Sequence, residues 1–279
     1  MVAALARRFR AARLHFGHGT ACARDEAAWL VAHATGVPPA SLDPRARIGA
    51  EHARRIRALA ARRIRERIPL AYLLGEAWLA GRRFYVDRRA IIPRSFISEL
   101  LAGDLRPWLQ RPVDRVLDLG TGSGCLAVLA ALAFPKARVD ATDVSAEALE
   151  VARRNVRRHR LTRRVRLTRS DLFAALGQRR YDLILANPPY VPTRTLRRLP
   201  PEYDYEPRLA LDGGRDGLEY VRRILAGARR HLAPRGLLVC EAGAARRALE
   251  RAYPRTPFAW PEVSEPGTVF VLAREALPR

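Results

Sequence analysis

Residues 116–125 have the sequence VLDLGTGSGC, an apolar run that leads into three glycines at alternate positions. A short apolar run of this kind is typical of a buried strand, and the apolar stretch 124–134 that follows is long enough for a helix. Glycines between a strand and a helix let a ligand approach the backbone closely. Their spacing is Gly-x-Gly-x-Gly, whereas dinucleotide-binding folds have Gly-x-Gly-x-x-Gly. The segment predicts a ligand-binding turn at the start of an α/β domain.

From residue 112 to the end, short apolar segments alternate with longer amphipathic ones. Strand–helix alternation predicts a mostly parallel sheet with helices on both of its faces. We expect strands at 115–119, 137–142, 165–168, 181–186, 236–241 and 268–273, and helices at 124–134, 146–159, 218–232 and 244–253.

The first third of the chain has a different pattern, which is mostly helical. A helix at 20–35 is expected with Thr20 near its cap, and a second at 43–69 with Pro44 in its first turn. Residues 78–94 are predicted to form a short hairpin that turns at 87–89. We therefore expect a helical substrate-recognition domain at 1–76, a hairpin and linker at 77–111, and the α/β domain at 112–279.

Composition excludes several classes of protein. Apolar residues make up 48% of the chain, which excludes a wholly disordered protein. No apolar run is long enough to span a bilayer, and no secretory leader is recognisable. Cys22, Cys125 and Cys240 are far apart, and no group has the spacing of a metal site. A reducing cytoplasm is the expected compartment.

The chain is strongly basic, with 51 Lys and Arg against 28 Asp and Glu and a net charge of +23. Lys136 is the only lysine, so nearly all of the positive charge is arginine. A codon bias that replaces lysine with arginine would explain this choice of residue, but it would not explain the excess of positive charge. A field of this sign favours a polyanionic assembly as a partner. The arginine-rich segment 153–169 is interpreted either as a surface facing ribosomal RNA or as a solvated outer face.

Two aspartates follow predicted strands at the edge where the glycine turn lies. Asp143 ends the second strand, as expected for a carboxylate that binds ribose hydroxyls. Asp171 follows the third strand. Either residue could instead cap the next helix, because Asp is a favoured N-cap. With the glycines upstream, the ribose role is favoured for Asp143.

The tetrapeptide Asn187-Pro188-Pro189-Tyr190 directly follows the fourth predicted strand. Its prolines stiffen the loop and lack N–H groups, so neighbouring carbonyls are free to accept hydrogen bonds. Asn187 adds a side-chain acceptor, and Tyr190 adds a flat face. Such a site suits a planar –NH2 group, which has two donors and needs two acceptors. The alternative is a rigid loop with no chemistry.

The glycine turn and its acidic partners resemble motif I of class I methyltransferases, which bind S-adenosylmethionine. The resemblance extends from 112 to about 241 and implies a Rossmann-like sheet of seven strands. In that family the loop lies against the amino acid part of the methyl donor, and the two acidic positions lie at the ribose and the adenine. The positions implied here are Asp118, Gly120, Thr121, Gly122, Ser123, Gly124, Asp143, Asp171, Leu172 and Asn187.

Asn-Pro-Pro-Tyr occurs in two groups of that family, one acting on protein glutamine side chains and one on the adenine amino group. Residues 67–73, 76–81, 84–87 and 92–95 resemble the glutamine group. This resemblance implies that Asn187 to Tyr190 form the catalytic loop. Arg94 could position the substrate or pair with a carboxylate.

Within the glutamine group, the stretches 95–100, 199–203, 205–207 and 214–218 resemble the branch that acts on large-subunit ribosomal protein L-three. That branch implies a cytoplasmic enzyme whose substrate is free or part of a pre-ribosomal particle. The alternatives are the release-factor branch, an adenine methyltransferase, and a non-catalytic ribosome-assembly factor of the same fold.

Overall fold

A sheet of six strands forms the centre of the computed structural model, which describes residues 1–43 and 45–278. Five strands are parallel, and the last is an antiparallel edge strand. The order is β5-β4-β3-β6-β7-β8. The strands are β3 (Arg115–Leu119), β4 (Arg138–Asp143), β5 (Val165–Arg169), β6 (Tyr181–Ala186), β7 (Leu232–Glu241) and β8 (Val269–Ala273), preceded by the two hairpin strands β1 (Ala77–Leu79) and β2 (Arg82–Phe84).

The expected seventh strand is missing from this sheet. In its place, Ala259 and Val271 form a single antiparallel bridge, with N–H···O distances of 3.2 and 2.8 Å. Pro257 and Pro261 lie on either side of Ala259. Because proline has no N–H to donate to a ladder, the pairing stops at one bridge. The prediction of seven strands was therefore wrong by one.

Alternate strand residues enter two apolar cores, one on each face of the sheet, because successive side chains of a strand point to opposite faces. Val116, Val139 and Leu183 pack on the side of α6, whereas Leu117 and Ile184 pack on the side of α9. The helices are α1 (Val2–Ala11), α2 (Ala23–Thr35), α3 (Ala50–Glu66), α4 (Leu70–Leu74), α5 (Ile97–Glu99), α6 (Cys125–Ala133), α7 (Ala146–Arg158), α8 (Thr193–Leu196), α9 (Glu219–His231) and α10 (Arg246–Ala252).

The N-terminal helices have an apolar core of their own, to which the segment around the hairpin also contributes. Two local predictions needed correction here. Helix α2 has Cys22 as N-cap, and the hydroxyl of Thr20 instead donates to the buried carboxylate of Glu26 at 3.3 Å. Helix α3 begins at Ala50, because the N–H of Arg45 turns back to the Asp43 carboxylate at 2.8 Å. Pro44 lies outside the described residues.

The hairpin turns at Ala80 and Gly81 and not at 87–89. Both residues have positive φ, +46° and +70°. Two central residues of positive φ are what the tight two-residue turns of right-twisted hairpins require, and Gly81 adopts this conformation without strain. A turn does form at the predicted residues, where the Ala90 N–H donates to the Asp87 carbonyl at 3.1 Å, but it follows the hairpin and does not connect its strands.

A buried ionic network joins the N-terminal helices to the segment that follows Pro201. The guanidinium of Arg63, which is fully buried, lies 2.7 Å from Glu26 and 3.4 Å from Glu202. Arg67 approaches Glu202 at 2.8 Å, and the N–H of His15 donates to the same carboxylate at 3.0 Å. The helical region is thereby attached to a loop that also lines the candidate site described below.

In the part of the chain that the structure describes, no helix combines the length and the apolarity needed to cross a membrane. Cys22, Cys125 and Cys240 are free thiols.

Candidate active site

A cavity of about 430 Å³ opens at the carboxyl ends of β3, β4 and β6. This volume lies within the range of small-molecule sites, about 300–1,000 Å³. The parallel strands bring their following loops to one edge of the sheet, and ligands bind at that edge in open α/β folds. The predicted residues that line the cavity are Gly120, Gly122, Asp143, Asp171, Leu172, Asn187, Pro188, Pro189 and Tyr190.

The glycine turn is held in a conformation that other residues rarely adopt. Gly120, Gly122 and Gly124 have φ values of +66°, +52° and +79°. A Cβ on Gly124 would lie 3.0 Å from that of Ala152, so this glycine permits the close packing of α6 on α7. The N–H of Thr121 donates to the Thr142 carbonyl at 2.8 Å and ties the turn to β4.

Asp118, Thr121, Ser123 and Gly124 lie behind the cavity wall and not in it. The Asp118 carboxylate accepts the Thr121 hydroxyl at 2.6 Å and the Ala127 N–H at 3.0 Å. Burial raises the pKa of Asp118 to about 7. These contacts anchor the turn to the start of α6, so the role of Asp118 seen here is to shape the loop.

Asp143 presents its carboxylate to the cavity from the end of β4. One oxygen accepts the Gly122 N–H at 2.8 Å, and the other accepts the Ser145 N–H at 2.9 Å. The N-cap of α7 is Ser145, whose hydroxyl accepts the Ala148 N–H at 3.1 Å. Asp143 is therefore not the cap of α7, and its remaining lone pairs face the cavity wall.

Asp171 and Leu172 form the wall beyond β5. The Asp171 carboxylate accepts a hydrogen bond from Arg223 on α9 at 2.7 Å. Leu172 has a φ of +48°, an uncommon value for a residue with a side chain. The Ser170 hydroxyl stabilises this turn by donating to the Leu172 carbonyl at 2.8 Å. Such conformations concentrate at functional sites.

The orientation of the Asn187 amide is determined by its partner. Its Nδ2 donates to the Arg94 carbonyl at 3.1 Å. A carbonyl oxygen can only accept, so the amide nitrogen must face Arg94 and the Oδ1 atom is left for another donor. The Pro188 carbonyl accepts no hydrogen bond from residues 1–43 or 45–278. Asn187 and Pro188 both line the cavity, and each has an acceptor oxygen with no partner among the described residues.

Tyr190 is fixed by a buried carboxylate that sequence reasoning did not place in the site. Its hydroxyl donates to Glu241 at 3.2 Å, at the end of β7. Glu241 also accepts the Ser95 hydroxyl at 2.7 Å and the Phe96 N–H at 3.1 Å. Glu241 ends the strand predicted at 236–241, but no local signal in the sequence connects it to Tyr190.

Burial raises the pKa of Glu241 from 4.5 to about 7. Between these values the folded protein keeps a proton that the unfolded chain has released, so stability should fall as pH rises from about 4.5 to 7. We expect the free energy of unfolding to fall less steeply with pH in the Glu241→Gln variant, because glutamine does not titrate. Urea unfolding at several pH values across the interval would measure it. If the free energy of unfolding fell equally steeply with pH in both proteins, the pKa of Glu241 would not be raised.

Three glycines surround Tyr190 so closely that a Cβ on any of them would collide with it. An added Cβ would lie 2.7 Å from Tyr190 Cα for Gly213, 2.4 Å from its carbonyl oxygen for Gly217, and 2.6 Å from its ring for Gly243. Gly213 is not among the residues with positive φ. Its requirement for glycine is therefore one of space alone.

We expect Gly213→Ala to displace the Tyr190 backbone and lower kcat by about 10²-fold, the cost of misplacing a reacting group by roughly 1 Å. Gly49→Ala is the matched control. Gly49 has a φ of −57°, and a Cβ added there would have no atom within 4 Å. Steady-state methylation assays and melting temperatures of both variants test this. Equal activity of the two variants would contradict it.

Arg94 lines the cavity and pairs with a carboxylate, which is the second of its two predicted roles. Its guanidinium makes two hydrogen bonds of 2.6 Å to Glu206. Glu206 also accepts the Ile92 N–H at 3.2 Å. The ring of Tyr203, on the same loop, lies 5.7 Å from the Arg94 guanidinium and contributes to the cavity wall. This loop was recognised by resemblance, but its ion pairs were not predicted.

The described residues contain no group of three or more His, Cys, Asp or Glu side chains arranged to hold a metal ion. The site instead combines the glycine turn, the Asp143 carboxylate and the acceptor oxygens of Asn187 and Pro188 around one cavity.

Two family models match the chain. Residues 97–198 match the methyltransferase small domain, and residues 9–75 match the PrmC N-terminal domain. Among solved structures, the hMettl16 catalytic domain in complex with MAT2A 3'UTR hairpin 6 has a TM-score of 0.55 at 18% identity, over 87% of this chain and 91% of that one. A methyltransferase from Pyrococcus furiosus has a TM-score of 0.50 at 23% identity, over 80% and 98%. These similarities show the fold.

Curated relatives are more similar in sequence. The ribosomal protein uL3 glutamine methyltransferase of Bordetella pertussis is 50% identical over 97% of this chain and 92% of its own length. The enzyme of the same name from Neisseria meningitidis serogroup B is 49% identical over 97% and 90%. The one from Bradyrhizobium diazoefficiens is 48% identical over 95% and 87%. The resemblance to the branch acting on a ribosomal protein is confirmed, and the chain belongs to the family of ribosomal protein uL3 glutamine methyltransferases.

Proposed function

We propose that this chain transfers a methyl group from S-adenosylmethionine to the side-chain amide nitrogen of a glutamine in ribosomal protein uL3, the L-three protein of the large subunit. The observation that supports this most directly is the free Asn187 Oδ1 at the cavity, held there by donation of Nδ2 to the Arg94 carbonyl. An amide –NH2 needs such acceptors, and the identity to uL3 methyltransferases extends over almost the whole chain.

The cavity suits the methyl donor in size and chemistry. Gly120 and Gly122 expose backbone to it, and Asp143 places a carboxylate in its wall. We assign the ribose hydroxyls to Asp143, the adenine to the wall at Asp171 and Leu172, and the amino acid part to the turn 120–124. When bound, S-adenosylmethionine supplies an electrophilic methyl group on a sulfonium, so the chain needs no covalent nucleophile.

The tetrapeptide has the task of presenting a poor nucleophile. Conjugation ties up the lone pair of an amide nitrogen. Asn187 Oδ1 and the Pro188 carbonyl would accept its two N–H groups and aim the nitrogen into the cavity. Tyr190, anchored by Glu241, would lie against the amide plane. The gain is positional and electrostatic, because the acceptors are oriented before the substrate arrives.

We assign substrate recognition to the helical domain at 1–76, linked by 77–111 to the catalytic domain at 112–279. The loop 201–207 supports this division of roles. Its Glu202 is held by Arg63 and Arg67 of the helical region, and its Glu206 is held by Arg94 at the cavity. Because this loop is held by both domains, a protein substrate bound across them would be held at a fixed distance from the cavity.

We place the enzyme in the cytoplasm, where its substrate is made, acting on uL3 that is free or part of a pre-ribosomal particle. The net charge of +23 supports a polyanionic assembly as the setting. Contact with ribosomal RNA through the arginine-rich segment 153–169 belongs to this proposal.

The test is methyl transfer from labelled S-adenosylmethionine to three acceptors in parallel: uL3, free and in precursor particles, a release factor, and adenine-containing DNA. We expect label on a glutamine of uL3. Label on the release factor would support glutamine methylation but show that uL3 is the wrong substrate. Label on DNA would show that the substrate is not a protein. Binding of the donor without transfer to any acceptor would favour a non-catalytic assembly factor.

A further inference from the structure

The hairpin β1–β2 is fixed rigidly to the C-terminal half of α7. The Asn155 side chain accepts the Tyr85 N–H at 2.7 Å and donates to the Tyr85 carbonyl at 2.9 Å. His159 lies 3.1 Å from the Arg83 carbonyl, and its ring is 5.1 Å from that of Phe84. The two elements therefore present one continuous outer surface.

Arginines dominate this surface. Arg83 has one carboxylate partner, Glu76 at 3.5 Å, and the guanidinium of Arg154 lies 3.5 Å above the Tyr85 ring. Within the described ranges, no carboxylate is within ion-pair distance of Arg82, Arg154, Arg157 or Arg158. The hairpin–α7 surface consists of Trp78, Arg83, Arg154, Arg157 and Arg158, all exposed.

The arginines are crowded at a cost to the free protein. Arg154 and Arg158 are one turn apart on α7, and like charges at this spacing destabilise a helix by a few tenths of a kcal/mol. Partial burial, together with the charges of Arg83 and Arg154, lowers the pKa of the Arg158 guanidinium. A polyanion would relieve this repulsion.

Trp78 gives the surface a second property. It is 49% exposed and lies directly opposite Arg83 in the hairpin, on the same face. An exposed indole among arginines is a platform on which a nucleic acid base can stack, whereas the guanidinium groups bind phosphates. A membrane surface would instead require an apolar stripe to insert. The C-terminal half of α7 has no such stripe, because its exposed positions 154, 157 and 158 are all arginine.

We propose that the hairpin–α7 surface binds RNA through backbone phosphates and a base stacked on Trp78, and so docks the enzyme on the particle that carries its substrate. The identification of that RNA as ribosomal rests on the proposed function, whereas RNA binding itself does not. Sequence preference is expected to be weak, because phosphates and stacking carry little sequence information.

The test measures binding of a short fluorescent single-stranded RNA to the full chain over a range of salt concentrations. Arg154→Gln/Arg157→Gln/Arg158→Gln should make the slope of log K against log salt shallower by about 2, at about 0.7 for each lost phosphate contact. Trp78→Ala should weaken binding about fivefold or more with little change in that slope.

The matched control removes the same charge from the opposite side of the sheet. Arg247, Arg251 and Arg255 are exposed at and just after α10, which packs in the other core through Leu249. Arg247→Gln/Arg251→Gln/Arg255→Gln should keep most of the RNA affinity. Equal loss in both triple variants would overturn the proposal, since net charge alone would then explain binding.

Two further outcomes separate this proposal from its alternatives. Capture of phosphatidylserine vesicles but not RNA by the same arginines would overturn it in favour of a membrane. If RNA binding fails while free uL3 is methylated, this inference and the proposed ribosomal RNA contact are wrong, and the proposed methyl transfer to uL3 stands. If the α7 triple variant methylates free uL3 normally but uL3 in particles poorly, both are supported. Melting temperatures of all variants monitor folding.

Discussion

Asn187→Ala is expected to lower the rate of glutamine methylation by about 10²–10³-fold, the loss that follows removal of one preorganised hydrogen-bonding group at a reacting centre. The side chain has one free acceptor atom, because its nitrogen is committed to the Arg94 carbonyl. Without it, one N–H of the substrate amide would be unpaired and the nitrogen would no longer be aimed at the methyl donor.

Binding of the methyl donor should be less affected than the rate, since Gly120, Gly122, Asp143 and Leu172 would still line the cavity. Single-turnover kinetics and calorimetric titration with S-adenosylmethionine separate the two effects. Asn187→Asp should also be impaired, because its carboxylate would face the Arg94 carbonyl oxygen without a proton to donate.

Gln178→Ala is the control for Asn187→Ala. Gln178 is an exposed amide side chain that precedes β6 at its far end from Asn187. The Gln178→Ala variant should methylate glutamine at the normal rate. A normal rate in Asn187→Ala itself would remove the tetrapeptide from the mechanism.

Arg63→Ala is expected to cost about 3–5 kcal/mol of unfolding free energy, the loss typical of breaking a buried ion pair. Arg63 is fully buried and donates to Glu26, to Glu202 and to the His15 carbonyl at 2.9 Å. The substitution would leave the buried Glu26 carboxylate without a cation and would leave Glu202 with Arg67 alone. Because a whole domain is stable by only about 5–15 kcal/mol, this is a large fraction of the total.

Arg62→Ala, one position earlier on α3, is the control for Arg63→Ala. Arg62 is half exposed, and its ion pair with Glu66 at 3.3 Å is of the surface type. Its loss should cost no more than about 1 kcal/mol. Urea unfolding of both variants measures the difference. Similar costs would show that the network around Glu202 does not hold the helical region to the cavity loop.

Activity should follow stability in the Arg63 variant. Glu202 precedes Tyr203, whose ring lines the cavity, so release of the carboxylate loosens the wall. Methylation measured well below the melting temperature should therefore be slower than in Arg62→Ala, even where both proteins are folded.

The alternation of strands and helices, the parallel sheet and the place of the glycine turn were predictable from the sequence. Each depends on local chemistry: period-two or helical spacing of apolar residues, and backbone angles that glycine adopts most readily. The tetrapeptide was located for the same reason, since a strand leads directly into its two prolines. The family resemblance then identified the chemistry.

Contacts between distant positions depended on the tertiary structure. Asp118 was predicted in the site but lies behind the wall, because the turn folds back so that Thr121 and Ala127 use its oxygens. Glu241 accepts hydrogen bonds from Tyr190 and Ser95 across long separations in sequence. The last expected strand is present as β8, whereas the seventh strand implied by the family resemblance is represented among the described residues by one bridge between Ala259 and Val271.

The sequence by itself thus determined the fold class, the order of its elements and the places of the glycine turn and the tetrapeptide, because these follow from local periodicity and from short motifs. Only the tertiary structure decided which of those residues face the cavity and which charges hold them there. A buried carboxylate such as Glu241 or Glu202 takes its role from whichever donors the folded chain brings within about 3 Å, and no local pattern in the sequence records that.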